Sequence, residues 1–467
     1  MPRYLASAAI AASLLLTACG SSNAPFVGQS VQGSAHRDAT STPLQHIIVI
    51  VQENRTFNNL FATFPGVTGT TTGVEKIVKG STSKQQSIAL TEVHLEDKVD
   101  LNHHYQSFLT GWDKGAMDNF NNIIFTTDGK PEGSQPYQYV NPKDIKPYWT
   151  MASTYAIANA MFQTQASGSF TAHQDLIRGG SELSGSESLI DDPTSNGFWG
   201  CDSPSTAKTS LITTALKYEK NKGPFPCTKS FPNSSYYKTL QNLLDAQSVT
   251  WKYYTPPVVK NQAGAHWNAF DVISSVRYGS EWGTNVVWPQ TKILTDISSN
   301  ALPHVAWVIP DANDSDHPGY GKDLGPSWVA SIVNAIGKST YWNSTAIVVL
   351  WDDWGGFYDP VAPPSQDKQG GPGLRVPLIA ISPYTAFNTS GGSPYISNTV
   401  YGFGSVVRFI EDTFNLGSLG TTDKSSNSIV DMFDFNQKPR KFTPISAKYS
   451  RAYFLRQVPS GLPVDTE

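Results

Sequence analysis

The feature that most constrains this fold is the run Ile47-Ile48-Val49-Ile50-Val51, which breaks abruptly into Gln52-Glu53-Asn54-Arg55-Thr56-Phe57. A run of branched apolar residues has no polar face to offer water. The strand it forms (Gln45–Gln52) must therefore be covered on both sides, as in a parallel α/β sheet. Such sheets present their chemistry just beyond the carboxyl ends of the strands. A carboxylate beside an amide at that point offers oxygen donors to a hard cation. The device recurs where Ala346–Leu350, also apolar, delivers Trp351-Asp352-Asp353-Trp354-Gly355-Gly356. Val305–Ile309 and Leu378–Ser382 predict companion strands. Helical patterns accompany them. Trp328–Ile336 sets Val329, Ile332, Val333 and Ile336 on one face between Pro326 and Gly337, and Phe403–Phe414 repeats the pattern. Together these predict an α/β domain, layered α/β/α around a central mostly parallel sheet.

Two stretches break the rhythm. Val67–Leu90 is rich in Gly, Thr, Ser and Lys and reads as a surface insertion. Gly179–Ser235 is rich in Ser, Gly and Pro, and is expected as a loop-rich cap insertion near the site. It holds Cys201 and Cys227, which in an exported chain most simply form one disulfide. The net charge is −4 and the basic residues are scattered, which argues against a nucleic-acid surface. No protein partner is predicted.

The first residues supply an address. Arg3 precedes an apolar segment from Leu5 to Leu16, too short to span a bilayer as a helix. Leu16-Thr17-Ala18-Cys19 resembles a bacterial lipobox, in which cleavage precedes a cysteine that then carries lipid. The competing reading is an ordinary secretory signal beside a chance cysteine. Residues 1–18 are thus expected as a lipoprotein signal peptide, with membrane attachment through lipidated Cys19. Residues 19–42 are expected as a flexible tether reaching on the order of 25 Å. Residues 43–445 form the expected catalytic domain and 446–467 a C-terminal tail. Gly20 after the cysteine favours the outer membrane or cell surface.

Adjacent strand residues point to opposite faces, so Asp352 and Asp353 can share a cation only where the strand ends and the backbone turns. Gly355-Gly356 permits that turn. Glu53, Asn54, Asp352 and Asp353 then form an all-oxygen set for one divalent metal ion: Ca2+, Mg2+ or Mn2+, with Zn2+ kept open. Taken singly, each residue serves equally well as a strand terminator or helix cap. The third element is Gln163–Gln174, where Ser167-Gly168-Ser169 precedes a helical-looking segment. A hydroxyl at a helix N-terminus lies where backbone N–H groups bind phosphate. Among the few histidines, His103 and His104 follow Asp100, and His317 follows the strand Val305–Ile309.

Taken together, these motifs match a known family. Gln52-Glu53-Asn54-Arg55-Thr56-Phe57-Asn58-Asn59-Leu60-Phe61 resembles the Glu-Asn-Arg-Ser-Phe-Asp motif of the bacterial phospholipase C/acid phosphatase phosphoesterases. Ser315-Asp316-His317-Pro318, Trp351–Asp359, Arg375-Val376-Pro377 and Ile381-Ser382-Pro383 follow in the family's order. The resemblance implies an alkaline-phosphatase-like core, a metal-dependent site and a phosphorylated serine or threonine. It assigns Glu53, Asn54, Asp352 and Asp353 to the metal, Ser169 to the nucleophile, and His103 and His317 to phosphate binding or proton donation. Ser167-Gly168 stands where relatives have Gly-Pro, and Pro360 and Asn398 stand at frequent histidine positions. The expectation is a hydrolase of phosphoric esters working through a phosphoserine intermediate, with a phosphomonoester or phospholipid substrate. The short tail leans towards the acid-phosphatase type. The rival expectation is a cell-surface glycan- or ligand-binding lipoprotein with structural Ca2+.

Overall fold

The computed structural model describes residues 42–464, apart from 98, 233, 234, 365, 389–391 and 393. The expected signal peptide, Cys19 and all but the last residue of the expected tether lie outside them. Among the described residues the central sheet has eight strands. Their spatial order is Val286–Val287, Trp251–Tyr254, Val305–Val308, His46–Gln52, Thr345–Trp351, Leu378–Ile381, Ala156–Ala158, Tyr395–Ser397. Leu378–Ile381 runs antiparallel to both its neighbours, and every other pairing is parallel. His46–Gln52 lies inside the sheet, with Ile47 opposite Val305 on one side and Ala346 on the other.

Every residue of His46–Gln52 and of Thr345–Trp351 is buried, so both faces of the sheet are covered. Two groups of helices do this. Gly325–Gly337 packs with Lys146–Thr154, Lys292–Ser298 and Arg451–Phe454; Ser169–Arg178 packs with Phe403–Phe414 and Leu240–Ala246. Burying each such Ile or Val contributes about 2 kcal/mol. A carboxylate at Ile50 would be stranded between layers and break the sheet at its centre. The layered α/β arrangement is the one the apolar runs predicted.

The insertions are more regular than their composition suggested. Val67–Leu90 contains the hairpin Thr72–Lys79/Thr82–Ala89, much of it exposed. The expected loop-rich cap instead contains a four-stranded antiparallel sheet from Glu182–Ser184, Glu187–Ile190, Ser210–Thr213 and Tyr218–Glu219. Its strands are two to four residues long. Strands so short show no alternation, and the Gly, Ser and Asp between them read as loop. Cys201 and Cys227 form the expected disulfide. Beyond residue 445 the chain packs onto the domain. The Phe454 ring lies 5.3 Å from Trp328, and Gln457 donates to Asp314 Oδ1 at 2.8 Å.

Candidate active site

Two strand ends meet here. Past Gln52 the backbone turns, and Asn54 takes φ +56°, a left-handed conformation that Asn enters more readily than most residues. Past Trp351 it turns again, with Gly355 at φ +56° and Gly356 at +78°. A Cβ on Gly355 would lie 2.1 Å from the Asn54 carbonyl oxygen, so only glycine lets these loops approach so closely. The Asn54 N–H donates to Asp352 Oδ1 at 3.0 Å, and the Asp352 N–H donates to the Gln52 carbonyl at 3.0 Å.

The turns bring Glu53 and Asp352 together with His173, and one ligand atom from each lies within 4.8 Å of the others. His173 Nε2 is 3.2 Å from Glu53 Oε1 and 3.7 Å from Asp352 Oδ2. All three side chains are buried. Glu53 Oε2, Asn54 Oδ1, Asp352 Oδ2 and His173 Nδ1 are buried without a hydrogen-bond partner among the described residues. Orphaned polar atoms of this kind cost free energy unless something else satisfies them. Burial pushes the Glu53 and Asp353 carboxyls well above the usual range and Asp352 up to about 7. Burial also holds the His173 imidazole below its ordinary value. A divalent cation among these groups would offset their mutual repulsion and favour their ionised forms. The donor set fits such an ion, and it includes an imidazole nitrogen beside the oxygens.

Ser169 opens the helix Ser169–Arg178, with Gly168 as the residue before it, and its hydroxyl donates to Asp353 Oδ2 at 3.0 Å. Asp353 Oδ1 accepts the Gly355 N–H at 2.8 Å. Both oxygens of Asp353 are thus engaged, one of them by the serine. Ser169 and His173 stand one helical turn apart on one face, so a single helix supplies the hydroxyl and the imidazole.

His103 Nδ1 lies 2.7 Å from the Leu101 carbonyl, which can only accept. The proton is therefore on Nδ1, and Nε2 accepts from Asn54 Nδ2 at 2.9 Å. This bond orients the amide and leaves Asn54 Oδ1 as the orphaned atom. His103 Nε2 is also 3.6 Å from Asp353 Oδ2. His317 Nδ1 donates to the Pro318 carbonyl at 2.6 Å. Its ring stacks on Trp267 at 5.8 Å and meets His103 edge-on at 6.4 Å.

The other motifs build the frame. Arg375 makes a two-point bond to Asp359 at 2.9 and 3.1 Å, and Asp359 Oδ2 accepts the Asn58 N–H. Arg55 donates to the Asp316 and Leu95 carbonyls, tying the His317 loop to the first strand end.

The structure brings together the residues to which the sequence assigned a role: Glu53, Asn54, Asp352, Asp353, Ser169, His103 and His317. Asp353 stands on the serine side of the cluster, and His173 takes a place within it that sequence reasoning missed. Its signal was available as a histidine four residues after the candidate serine in a predicted helix.

The Phosphoesterase family model matches residues 44–417. The chain belongs to the Phosphoesterase family. Within it, the chain is 24% identical to the non-hemolytic phospholipase C of Pseudomonas aeruginosa over 80% of its own length and 54% of that protein. It is 23% identical to phospholipase C A of Mycobacterium tuberculosis, over 86% of this chain and 79% of that one. The chain spans about half the length of the Pseudomonas relative it matches. A solved protein in the alkaline phosphatase superfamily from Vibrio parahaemolyticus aligns at 10% identity. It covers 83% of this chain and 72% of its own, with a TM-score of 0.33.

Proposed function

We propose that this chain hydrolyses phosphoric esters with Ser169 as nucleophile, at a divalent cation held by Glu53, Asp352 and His173 with the Asn54 amide oxygen. The observation that carries this reading is the 3.0 Å hydrogen bond from Ser169 to Asp353, at a helix N-terminus beside the orphaned donors. When bound, the cation would stabilise negative charge on the phosphoryl group and favour the serine alkoxide. Ser169 Oγ attacks phosphorus as its proton passes to Asp353 Oδ2, and N–H groups of the helix N-terminus receive phosphoryl oxygen. The P–O bond to the alcohol breaks, and His317 Nε2 protonates the departing oxygen. His103 holds Asn54 in place. Water then attacks the phosphoserine as it gives a proton to His317 Nε2, the P–Oγ bond breaks, Asp353 returns its proton to Ser169 Oγ, and phosphate or its monoester leaves. Phosphomonoesters and phospholipids are the candidate substrates; the second is supported by the relatives' names as phospholipases C.

Export and lipid attachment through Cys19 belong to the same proposal. They are supported by the leading sequence and by the Cys201–Cys227 disulfide, which suits an oxidising compartment.

The test is hydrolysis of p-nitrophenyl phosphate and p-nitrophenyl phosphorylcholine by the domain from Gly20. It is run after chelation and after restoring Ca2+, Mg2+, Mn2+ or Zn2+. Turnover that returns with metal and is lost by at least about a thousandfold in Ser169→Ala is expected. A folded domain without turnover in any metal would favour a binding lipoprotein.

A further inference from the structure

The residue that follows the cap strand Glu187–Ile190 reaches the nucleophile from outside the nucleophile's own helix. Asp191 is buried and takes φ +52°, a left-handed conformation open to Asp, Asn and Gly. In this conformation its main chain grips the segment on both sides of Ser169. The Asp191 N–H donates to Ser167 Oγ at 2.7 Å, and the Asp191 carbonyl accepts the Thr171 hydroxyl at 3.4 Å. Ser167 and Thr171 are fully buried, so a lost bond would not be replaced by one to bulk water. The Ser167 carbonyl also accepts from Gln163 Nε2 at 2.9 Å. Gly168, between Ser167 and the serine, has no side chain of its own to fix the turn.

The Asp191 side chain makes a second grip. Its Oδ1 accepts the Tyr105 N–H at 2.8 Å and the Ser167 hydroxyl at 3.4 Å. Tyr105 opens the helix Tyr105–Trp112, and His104 before it makes no side-chain cap bond. The carboxylate therefore caps that helix from a distant part of the chain. His103 lies two residues before Tyr105, its carbonyl held by Trp354 Nε1 at 2.9 Å and its Nε2 bonded to Asn54. One side chain thus ties the Ser169 turn to the segment that carries His103.

Resting on the phosphoesterase reading above, we infer that Asp191 is a positioning residue that sets Ser169 and His103 in register with each other. Its main chain aims the serine at phosphorus through Ser167 and Thr171. Its carboxylate, through Tyr105, keeps His103 where that imidazole orients the Asn54 amide. Misplacing a reacting atom by about 1 Å costs about a hundredfold in rate. Groups that orient a metal ligand are worth about tenfold or more in affinity.

Three variants separate the two grips. Ser167→Ala removes the acceptor of the Asp191 N–H. Asp191→Gly keeps the left-handed backbone and deletes the carboxylate. Asp191→Asn keeps that backbone and an oxygen for the Tyr105 N–H. Each is compared with wild type in kcat and KM for p-nitrophenyl phosphate and p-nitrophenyl phosphorylcholine. Calorimetric binding of whichever of Ca2+, Mg2+, Mn2+ or Zn2+ restores wild-type turnover is measured alongside, at a temperature where melts show every variant folded. Ser167→Ala is expected to lower kcat at least about tenfold while KM and cation affinity stay unchanged. Asp191→Gly is expected to bind the cation about tenfold more weakly. Asp191→Asn is expected to match wild type in both. Ser167→Ala and Asp191→Gly that melt lower yet, while folded, keep wild-type kcat and cation affinity would overturn the inference and leave Asp191 a helix cap. Asp191→Asn falling as far as Asp191→Gly would overturn it too, because charge rather than held geometry would then be at work. A folded wild type that turns over neither ester in any of the metals would instead overturn the phosphoesterase reading, and this inference with it.

Discussion

Asp352, Asp314 and Asp316 lie fully buried near the ends of the central strands, and burial pushes each carboxyl up to about 7. An unfolded Asp titrates near pH ~3.9. Between about pH 4 and 7 the folded chain therefore keeps protons that the unfolded chain has lost, and stability falls as pH rises through that window. Each group contributes on the order of 1 kcal/mol per pH unit. His46 and His173, held low by burial, oppose the trend below their ordinary value of 6.5. A divalent cation binds the ionised carboxylates, so its stabilising effect grows with pH. Thermal melts of the chelated domain should show Tm falling from pH 6 to pH 8, with added cation raising Tm more at pH 8. A Tm indifferent to cation at both values would remove the metal from the account.

At the scale of elements, what could be read from the sequence depended on length. The strands His46–Gln52 and Thr345–Trp351 are long unbroken apolar runs, and both were placed to within a residue or two. Ala156–Ala158, Val286–Val287 and Tyr395–Ser397 were not found, because two or three residues hold no periodicity. Their position is set by neighbours in the sheet rather than by their own pattern. The cap misled for the same reason, though its cysteines did not. The Cys201–Cys227 loop spans 26 residues, and closing it restricts the unfolded chain by about 3 kcal/mol. Cys201→Ser with Cys227→Ser should lower unfolding free energy by about that much in urea. An unchanged midpoint would show that the cap is held by its sheet alone.

For the whole molecule, the site is legible to the extent that one stretch of chain carries it. Glu53-Asn54 and Asp352-Asp353 each follow a recognisable strand, and the turn at Gly355 could be foreseen from its glycines. His173 was within reach of the helical spacing from Ser169. The bond between Asn54 and His103 was not, because it joins segments that only the tertiary fold brings together. The same holds for the bond that sets Ser169 on Asp353, which spans 184 residues. The central claim is that this assembly makes Ser169 a transient phosphate carrier. The most direct measurement is peptide mass spectrometry of metal-restored enzyme, quenched in acid during turnover of p-nitrophenyl phosphorylcholine. The account predicts one added phosphoryl group on the peptide bearing Ser169, absent from Ser169→Ala and from enzyme quenched without substrate. Sustained turnover with Ser169 unmodified, or turnover surviving in Ser169→Ala, would contradict it.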